Sequence, residues 1–313
     1  MKLIESKAEY IPQEEGLEGI YKMVELAGRT AYHSMDKITP DSAKGFVDRM
    51  IKSKHGAALE HGAVYLYMTG PWNVLDYREA GKYVDNKYSK VVGPIYTKDK
   101  YEKNERHYSM AYITTSLRVL VENNWLDDLQ YLCPPTEFHE KRYTMRFTCS
   151  RAIAQELTRH RTFSFLMESQ RYINYSKERH GGEITFIKPS WYDKYSKTLL
   201  DDSGHRPDGT SDMFTSEGDF EDQLEGAECC YMAAMIAGVK PQEARDVLPN
   251  ATKTELIMTG FSSDWRHVMD LRLFGKTGAP HPDMLLLMQK AQKAMQEAGI
   301  WEDIISKPSK FEE

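Results

Sequence analysis

Residues 142–161 read Arg142-Tyr143-Thr144-Met145-Arg146-Phe147-Thr148-Cys149-Ser150-Arg151-Ala152-Ile153-Ala154-Gln155-Glu156-Leu157-Thr158-Arg159-His160-Arg161, and their hydrophobic period changes part-way. Tyr143, Met145, Phe147 and Cys149 recur at every second position, the period of a strand with one buried face. From Ser150 the pattern turns helical, so the run predicts a strand over 142–149 feeding a helix over 150–161. A strand that leads into a helix sets the helix end, with Arg159, His160 and Arg161, beside a sheet edge.

Outward from this run, helical spacing predicts helices over 17–32, 41–54, 114–132, 221–237 and 283–298. Gly238 and Gly299 close the last two. Ser263 is positioned to cap a further helix running to about Leu273. Strands are expected over 60–68, 183–187 and 254–259. The mixture predicts an α+β fold, a small sheet packed with helices. One domain over residues 1–313 is expected, with insertions at 70–140, punctuated by Gly70-Pro71, Gly93-Pro94 and Pro134-Pro135, and at the polar stretch 193–219. Both insertions are expected at the periphery.

A composition of 41% hydrophobic and 28% charged residues is that of a chain able to fold around a core. The net charge of −6 argues against a general nucleic-acid binder, which needs a broad basic surface to displace counterions from phosphate. An anionic ligand must therefore meet a local arginine cluster. The opening residues lack a signal-length apolar core, and no stretch approaches the roughly 18 apolar residues of a membrane span, which gives a cytoplasmic reading. Cys133, Cys149, Cys229 and Cys230 form no CxxC pair and read as reduced, buried thiols. The histidines form no HExxH, so no metal is expected.

The densest group of functional side chains is Arg159-His160-Arg161 followed by Glu168, Ser169, Gln170, Arg171 and Tyr172. Planar guanidinium forks suit phosphate oxygens, although basic residues also favour a helix C-terminus. The spacing Arg159-His160-Arg161, seven residues, Ser169 resembles the signature of the flavin-dependent thymidylate synthases. Two further blocks are similar to that family in order and spacing. One is His55-Gly56-Ala57-Ala58-Leu59-Glu60-His61, and the other runs from Ala244-Arg245-Asp246-Val247-Leu248-Pro249 through Thr254-Glu255 to Trp265-Arg266-His267 and Leu271-Arg272.

The resemblance implies a homotetramer with active sites between subunits, each stacking FAD on dUMP. NADPH is the reductant and methylenetetrahydrofolate the one-carbon donor, and no enzyme cysteine attacks the pyrimidine. It implies nucleotide contacts for Glu156, Arg159, Glu168, Ser169, Gln170, Arg171, Arg245 and Arg272, with Arg272 stabilising the ionised pyrimidine as the catalytic group. Flavin positions are Ala57, Arg159, His160, Arg161, Phe261, Ser262, Ser263 and His267.

The chain departs from the pattern at Glu156, where many members carry glutamine, at Met167, where a polar residue is usual, and at His267, where some carry asparagine. Extra residues also separate Arg272 from His281-Pro282. Two other classes compete. A cysteine-dependent thymidylate synthase would need a Pro-Cys-His pattern, and Cys133-Pro134-Pro135 does not supply it. A non-catalytic flavin- or nucleotide-binding relative would retain the motifs and lack turnover.

Overall fold

The computed structural model describes residues 1–71, 80–98, 107–177, 181–195 and 215–311. Its strands are β1 (Lys2–Ile4), β2 (Lys7–Ile11), β3 (Ala63–Pro71), β4 (Lys90–Lys98), β5 (His107–Ser116), β6 (Arg142–Ser150), β7 (Ser164–Met167), β8 (Thr185–Ile187) and β9 (Lys253–Phe261). The helices are α1 (Gly16–Ala31), α2 (Ser42–Lys52), α3 (Gly56–Leu59), α4 (Gly81–Val84), α5 (Leu117–Glu122) and α6 (Arg151–Leu157). They continue with α7 (Glu221–Ile236), α8 (Pro241–Ala244), α9 (Ser262–Arg272), α10 (Pro282–Glu297) and α11 (Trp301–Ile305). The fold is α+β, with small sheets packed against helices.

The alternation read at 142–149 is the core strand of the main sheet, ordered β2-β6-β9-β7. β6 and β9 pair antiparallel from Arg142 opposite Phe261 to Ser150 opposite Lys253. Phe147, Met145 and Trp265 bury their side chains between this sheet and the helices α9 and α10, which supply Met269, Met284, Leu287 and Met288. The Trp265 indole donates to the Tyr143 carbonyl at 3.0 Å, so its one polar atom is satisfied inside the core.

A second sheet, ordered β3-β5-β4, packs Val64, Leu66, Ile113, Leu117 and Leu120 against Ile20 and Val24 of α1 and Phe46 of α2. Most of the segment 70–140 belongs here. Within the described residues it supplies β4, β5, α4 and α5. Gly93 takes φ +129° where the β4 register shifts between Val92 and Ile95, so the Gly-Pro pair marks a bulge inside a strand. β1 and β8 form a parallel pair beside the third core, built on Ile173, Phe186 and Tyr231. The stretch 193–219 lies largely outside the described residues. Among those described, no helix is long and apolar enough to cross a membrane.

Several local expectations are corrected. The helix expected over 114–132 is interrupted: Thr114, Thr115 and Ser116 finish the central strand β5, α5 follows, and a 3-10 turn covers Leu126–Tyr131. A central strand buried on both faces shows no alternation to betray it. The helix expected over 150–161 starts one residue later and ends at Leu157. Ser150 is its cap, accepting from the Ile153 amide at 3.3 Å. Arg159 and His160 close tighter turns onto Glu156 and Leu157, lifting the basic triplet off the helix. Ser263 does not cap α9, because Phe261 holds the N-cap position and the Ser263 hydroxyl faces Lys90 instead. Of the thiols, Cys149 is buried and Cys133 half-buried, while Cys229 and Cys230 are exposed on α7.

Gly260, in β9, lies against the Phe163 ring, and a Cβ there would overlap the ring carbons. Gly260→Ala should destabilise the fold by about 1–3 kcal/mol, the scale of core overpacking. Urea unfolding checks it, with an unchanged midpoint as the contrary result.

Candidate functional site

The expected site residues fall into three groups around α6 and the turn that follows it. In the first, the C-terminal ends of α6 and α9 meet. Arg272 donates its Nε–H to His160 Nε2 at 3.3 Å, and its Nη1 lies 3.4 Å from Glu156 Oε2. Accepting that bond requires a neutral imidazole. Burial first, then the Arg272 charge and His267, pull the His160 pKa down to about 4. His267, earlier on α9, places its ring 6.4 Å from His160. Its own pKa is lowered, mainly by burial and then by Lys310, and its Nδ1 is shielded without a partner. Arg159 projects to the surface.

The second group gathers where β7 runs out. Glu168 is buried, and its carboxylate accepts from Lys253 Nζ at 3.0 Å and from the Glu255 amide at 3.1 Å. Its backbone amide bonds the Glu255 carbonyl at 2.8 Å, extending the β7–β9 pairing by one residue. Ser169 follows, its amide on the Ala31 carbonyl at the end of α1. Gln170 is buried with Nε2 unpartnered, whereas Arg171 is exposed over the ring of Tyr172. Arg151, at the first turn of α6, points into this group. Its guanidinium is shielded at Nη1 and has no partner there. Burial lowers its pKa, and nearby Arg245, in the turn Arg245–Val247 after α8, lowers it further.

The third group lines a cleft of about 490 Å³ between the two larger cores. Arg161, Phe163 and Phe261 face Lys87, Tyr88 and Lys90 across it. Lys90 Nζ bonds Ser263 Oγ at 2.7 Å and Glu140 Oε1 at 2.8 Å, and stands 4.7 Å from the Phe261 ring centre. Ser262 is fully buried with its hydroxyl unpartnered. Ala57 is exposed on α3 and does not line the cleft.

Sequence reasoning passed over Arg151, Lys253 and Lys90. Arg151 and Lys253 stand inside the quoted motifs, so the signal for them was the motif itself. Lys90 carried none, since its role depends on how two sheets meet. Two residues set apart in the sequence have structural explanations. Met167 packs on the first core, and the His281 ring caps α10 by accepting from the Asp283 amide at 3.2 Å. His61 is a tie within the core: its Nδ1 pairs with Thr259 Oγ1 at 2.8 Å, and Thr259 in turn with Thr144 at 2.8 Å.

Arg151, Arg159, Arg161, Arg171 and Arg245 make no ion pair among the described residues. Uncompensated guanidinium groups on an acidic chain, beside shielded unpartnered donors, are the footprint of anionic ligands. With this geometry stands a match to known sequences. The family model described as thymidylate synthase complementing protein covers residues 87–298. The chain belongs to this family.

Among thymidylate synthase relatives, the flavin-dependent thymidylate synthase of Haloarcula marismortui is 28% identical over 128 residues, 39% of this chain and 51% of that protein. The enzyme of the same name from Corynebacterium efficiens is 33% identical over 129 residues, 39% of this chain and 46% of that protein. That of Mycolicibacterium vanbaalenii is 23% identical over 273 residues, 84% of this chain and 71% of that protein. The chain spans about half the length of the first two relatives. Among solved structures, the UMP/dUMP methylase PolB of Streptomyces cacaoi with 5-Br dUMP aligns over 98% of this chain and 97% of that one, with 15% identity and a TM-score of 0.44.

The buried histidines give the family fold a pH dependence in this chain. Burial, with the Arg142 charge adding to it, takes the His61 pKa from an ordinary 6.5 to about 3, and His160 falls to about 4. The unfolded chain binds these protons near 6.5 while the folded chain does not. Stability is therefore full above about pH 6.5 and declines as pH falls toward 4 and 3. The urea midpoint should drop between pH 7 and pH 5, and His61→Gln should flatten that slope. An identical slope in the variant would exclude His61 as a source.

Proposed function

We propose that the chain catalyses the reductive methylation of dUMP to dTMP with FAD as bound cofactor, consuming methylenetetrahydrofolate and NADPH and releasing tetrahydrofolate and NADP⁺. The observation that supports this most directly is the set of unpaired arginines with the shielded, unpartnered polar atoms Arg151 Nη1, Gln170 Nε2, Ser262 Oγ and His267 Nδ1. Such atoms are costly to bury unless a ligand meets them. The donor set fits both groups required: a phosphate for the second cluster, a flat heteroaromatic ring for the first.

Arg151, Arg171, Arg245, Ser169 and Gln170 hold the nucleotide phosphate in this reading. Glu168 orients that loop from behind, its charge already matched by Lys253. His160, His267, Phe261, Ser262 and Ser263 hold the flavin with Arg159 and Arg161, and Ala57 approaches it from α3. When bound, the flavin supplies the redox and one-carbon transfer chemistry. Arg272 stabilises negative charge on the pyrimidine, in a site where a fixed guanidinium needs little reorganisation. Glu156 and the neutral His160 position Arg272 for that work.

A cysteine nucleophile is disfavoured by the same structure. Burial pushes the Cys149 thiol up to about 12 and raises that of Cys133, so neither offers a thiolate near neutrality. Cys229 and Cys230 sit on α7, which carries none of the site residues. Among the described residues the cleft of about 490 Å³ is lined from the third group and by none of the expected residues of the other two, which favours a homotetramer completing each site from neighbouring copies.

Tritium release from 5-tritiated dUMP, with FAD, NADPH and methylenetetrahydrofolate saturating, tests the reaction. Arg272→Ala should lower kcat by about 10²–10³, the usual loss of one preorganised donor at a developing anion. The change of all four cysteines to Ala should retain turnover. A folded but inactive cysteine-free protein beside a fully active Arg272→Ala refutes the mechanism, and flavin binding without any tritium release identifies a non-catalytic relative. Separately, Arg171→Ala should weaken dUMP binding by about 1.5–3 kcal/mol, as for a charge-assisted hydrogen bond, while flavin stays bound. Calorimetric titration of dUMP checks it.

A further inference from the structure

We propose that the segment 306–311, which follows α11, lies across the cofactor side of α9 as a movable latch, and that its Phe311 ring competes with the flavin ring for His267. The inference rests on the flavin reading above and adds to it residues that no quoted motif contains.

Phe311 is the sharpest sign. Its ring lies nearly parallel to the His267 imidazole, with 14° between the planes and 5.7 Å between the centres. The side chain joins none of the three hydrophobic cores and is 38% exposed. Burial therefore does not account for its place, and the stack on the imidazole is the ring contact that sets it. Lys310, the preceding residue, brings its charge against the same imidazole and adds to the effect of burial there.

The segment is fixed at its start and lightly held beyond. The Ile305 carbonyl accepts from Arg266 Nη1 at 2.7 Å, and Lys307 pairs with Asp303 at 2.9 Å. After Lys307 no backbone-to-backbone bond holds the chain among the described residues. What remains, besides the ring stack, is Ser309. Its Oγ donates to Asp270 Oδ2 at 2.6 Å, about one turn along α9 from His267, and accepts from the Phe311 amide at 3.2 Å. Giving up that bond leaves no stranded charge, because the buried Asp270 carboxylate keeps Arg266 at 3.2 Å. A segment with so few ties opens at the low end of the free-energy scale for local unfolding.

The imidazole cannot serve two flat partners. His160 stands edge-on to it, 77° between the planes at 6.4 Å, Phe311 covers a face, and Nδ1 is shielded without a partner. A shielded ring nitrogen with no bond is costly, and a flavin edge that reaches it supplies the missing bond once Phe311 has moved. The two occupants are then exclusive. The apparent affinity for flavin equals the intrinsic affinity reduced by the fraction of chains in which the latch is open. If Phe311 were instead a fixed wall of the flavin site, its removal would change affinity in the opposite direction.

FAD is titrated by fluorescence into the full chain and into Phe311→Ala, Ser309→Ala and Phe311→Trp. The two alanine variants should bind FAD about three- to ten-fold more tightly, the scale of one lost aromatic stack. Phe311→Trp, with a larger stacking face, should bind it more weakly than the full chain. Trypsin cleavage after Lys310, read by mass spectrometry on the full chain, should be several-fold faster with FAD bound, because the bound ring holds the segment off α9. Weaker FAD binding in Phe311→Ala, with cleavage slowed by FAD, makes the ring a wall of the site and overturns the competition. Equal FAD affinities across the set overturn it as well, and both results leave the flavin reading intact. If neither the full chain nor any variant binds FAD, the flavin reading fails and the competition fails with it.

Discussion

Everything in the candidate site depends on the antiparallel pairing of β6 with β9. Each strand leads directly into a site-bearing helix, and because the strands run in opposite directions the helices start from opposite ends of the sheet. Nine paired residues separate those starting points by about 30 Å at the usual rise of a strand. The seven residues of α6 and eleven of α9 cover about 10 and 16 Å on the way back. The carboxyl ends of the two helices therefore meet, and Arg272 finds Glu156 and His160 there. A register slip of one residue would turn Met145 and Phe147 out of the core and part these groups at once. The partial negative charge at both helix ends also favours a cation at the meeting point.

The register does for Arg272 what hydrogen bonds do for Glu168. With Lys253 on one oxygen and its amide on Glu255, Glu168 continues the sheet for one residue past β7. Ser169, Gln170 and Arg171 thus leave a rigid edge at a set angle. The buried ion pair contributes little net stability, because desolvation offsets the attraction, but its geometry fixes the direction of the loop.

Much of this was legible in the residues of 142–161. The alternation at Tyr143, Met145, Phe147 and Cys149 identified the strand, and Arg159-His160-Arg161 with Ser169 identified the family. Periodicity failed at Thr114 and Thr115, because a strand covered on both faces carries no polar side to alternate with. It placed the end of α6 too late, because a tight turn and a helical turn share the same spacing of side chains. Ser263 was read as a cap from its residue type, although the local backbone put Phe261 there and left the hydroxyl to Lys90. Lys90 escaped because its environment is made by segments distant in sequence, and a lone cation in a sequence looks like any other on a solvated surface, whereas Arg151 stood inside the motif and was passed over there.

The bond from Lys90 to Ser263 and Glu140 fastens the second sheet to the start of α9, across the cleft. An occupant of that cleft touches both cores at once and binds only while they are joined. By mass action it raises the free energy of separating them by RT ln(1 + [L]/Kd). An occupant therefore couples the two cores, which separate less readily with it bound than without it.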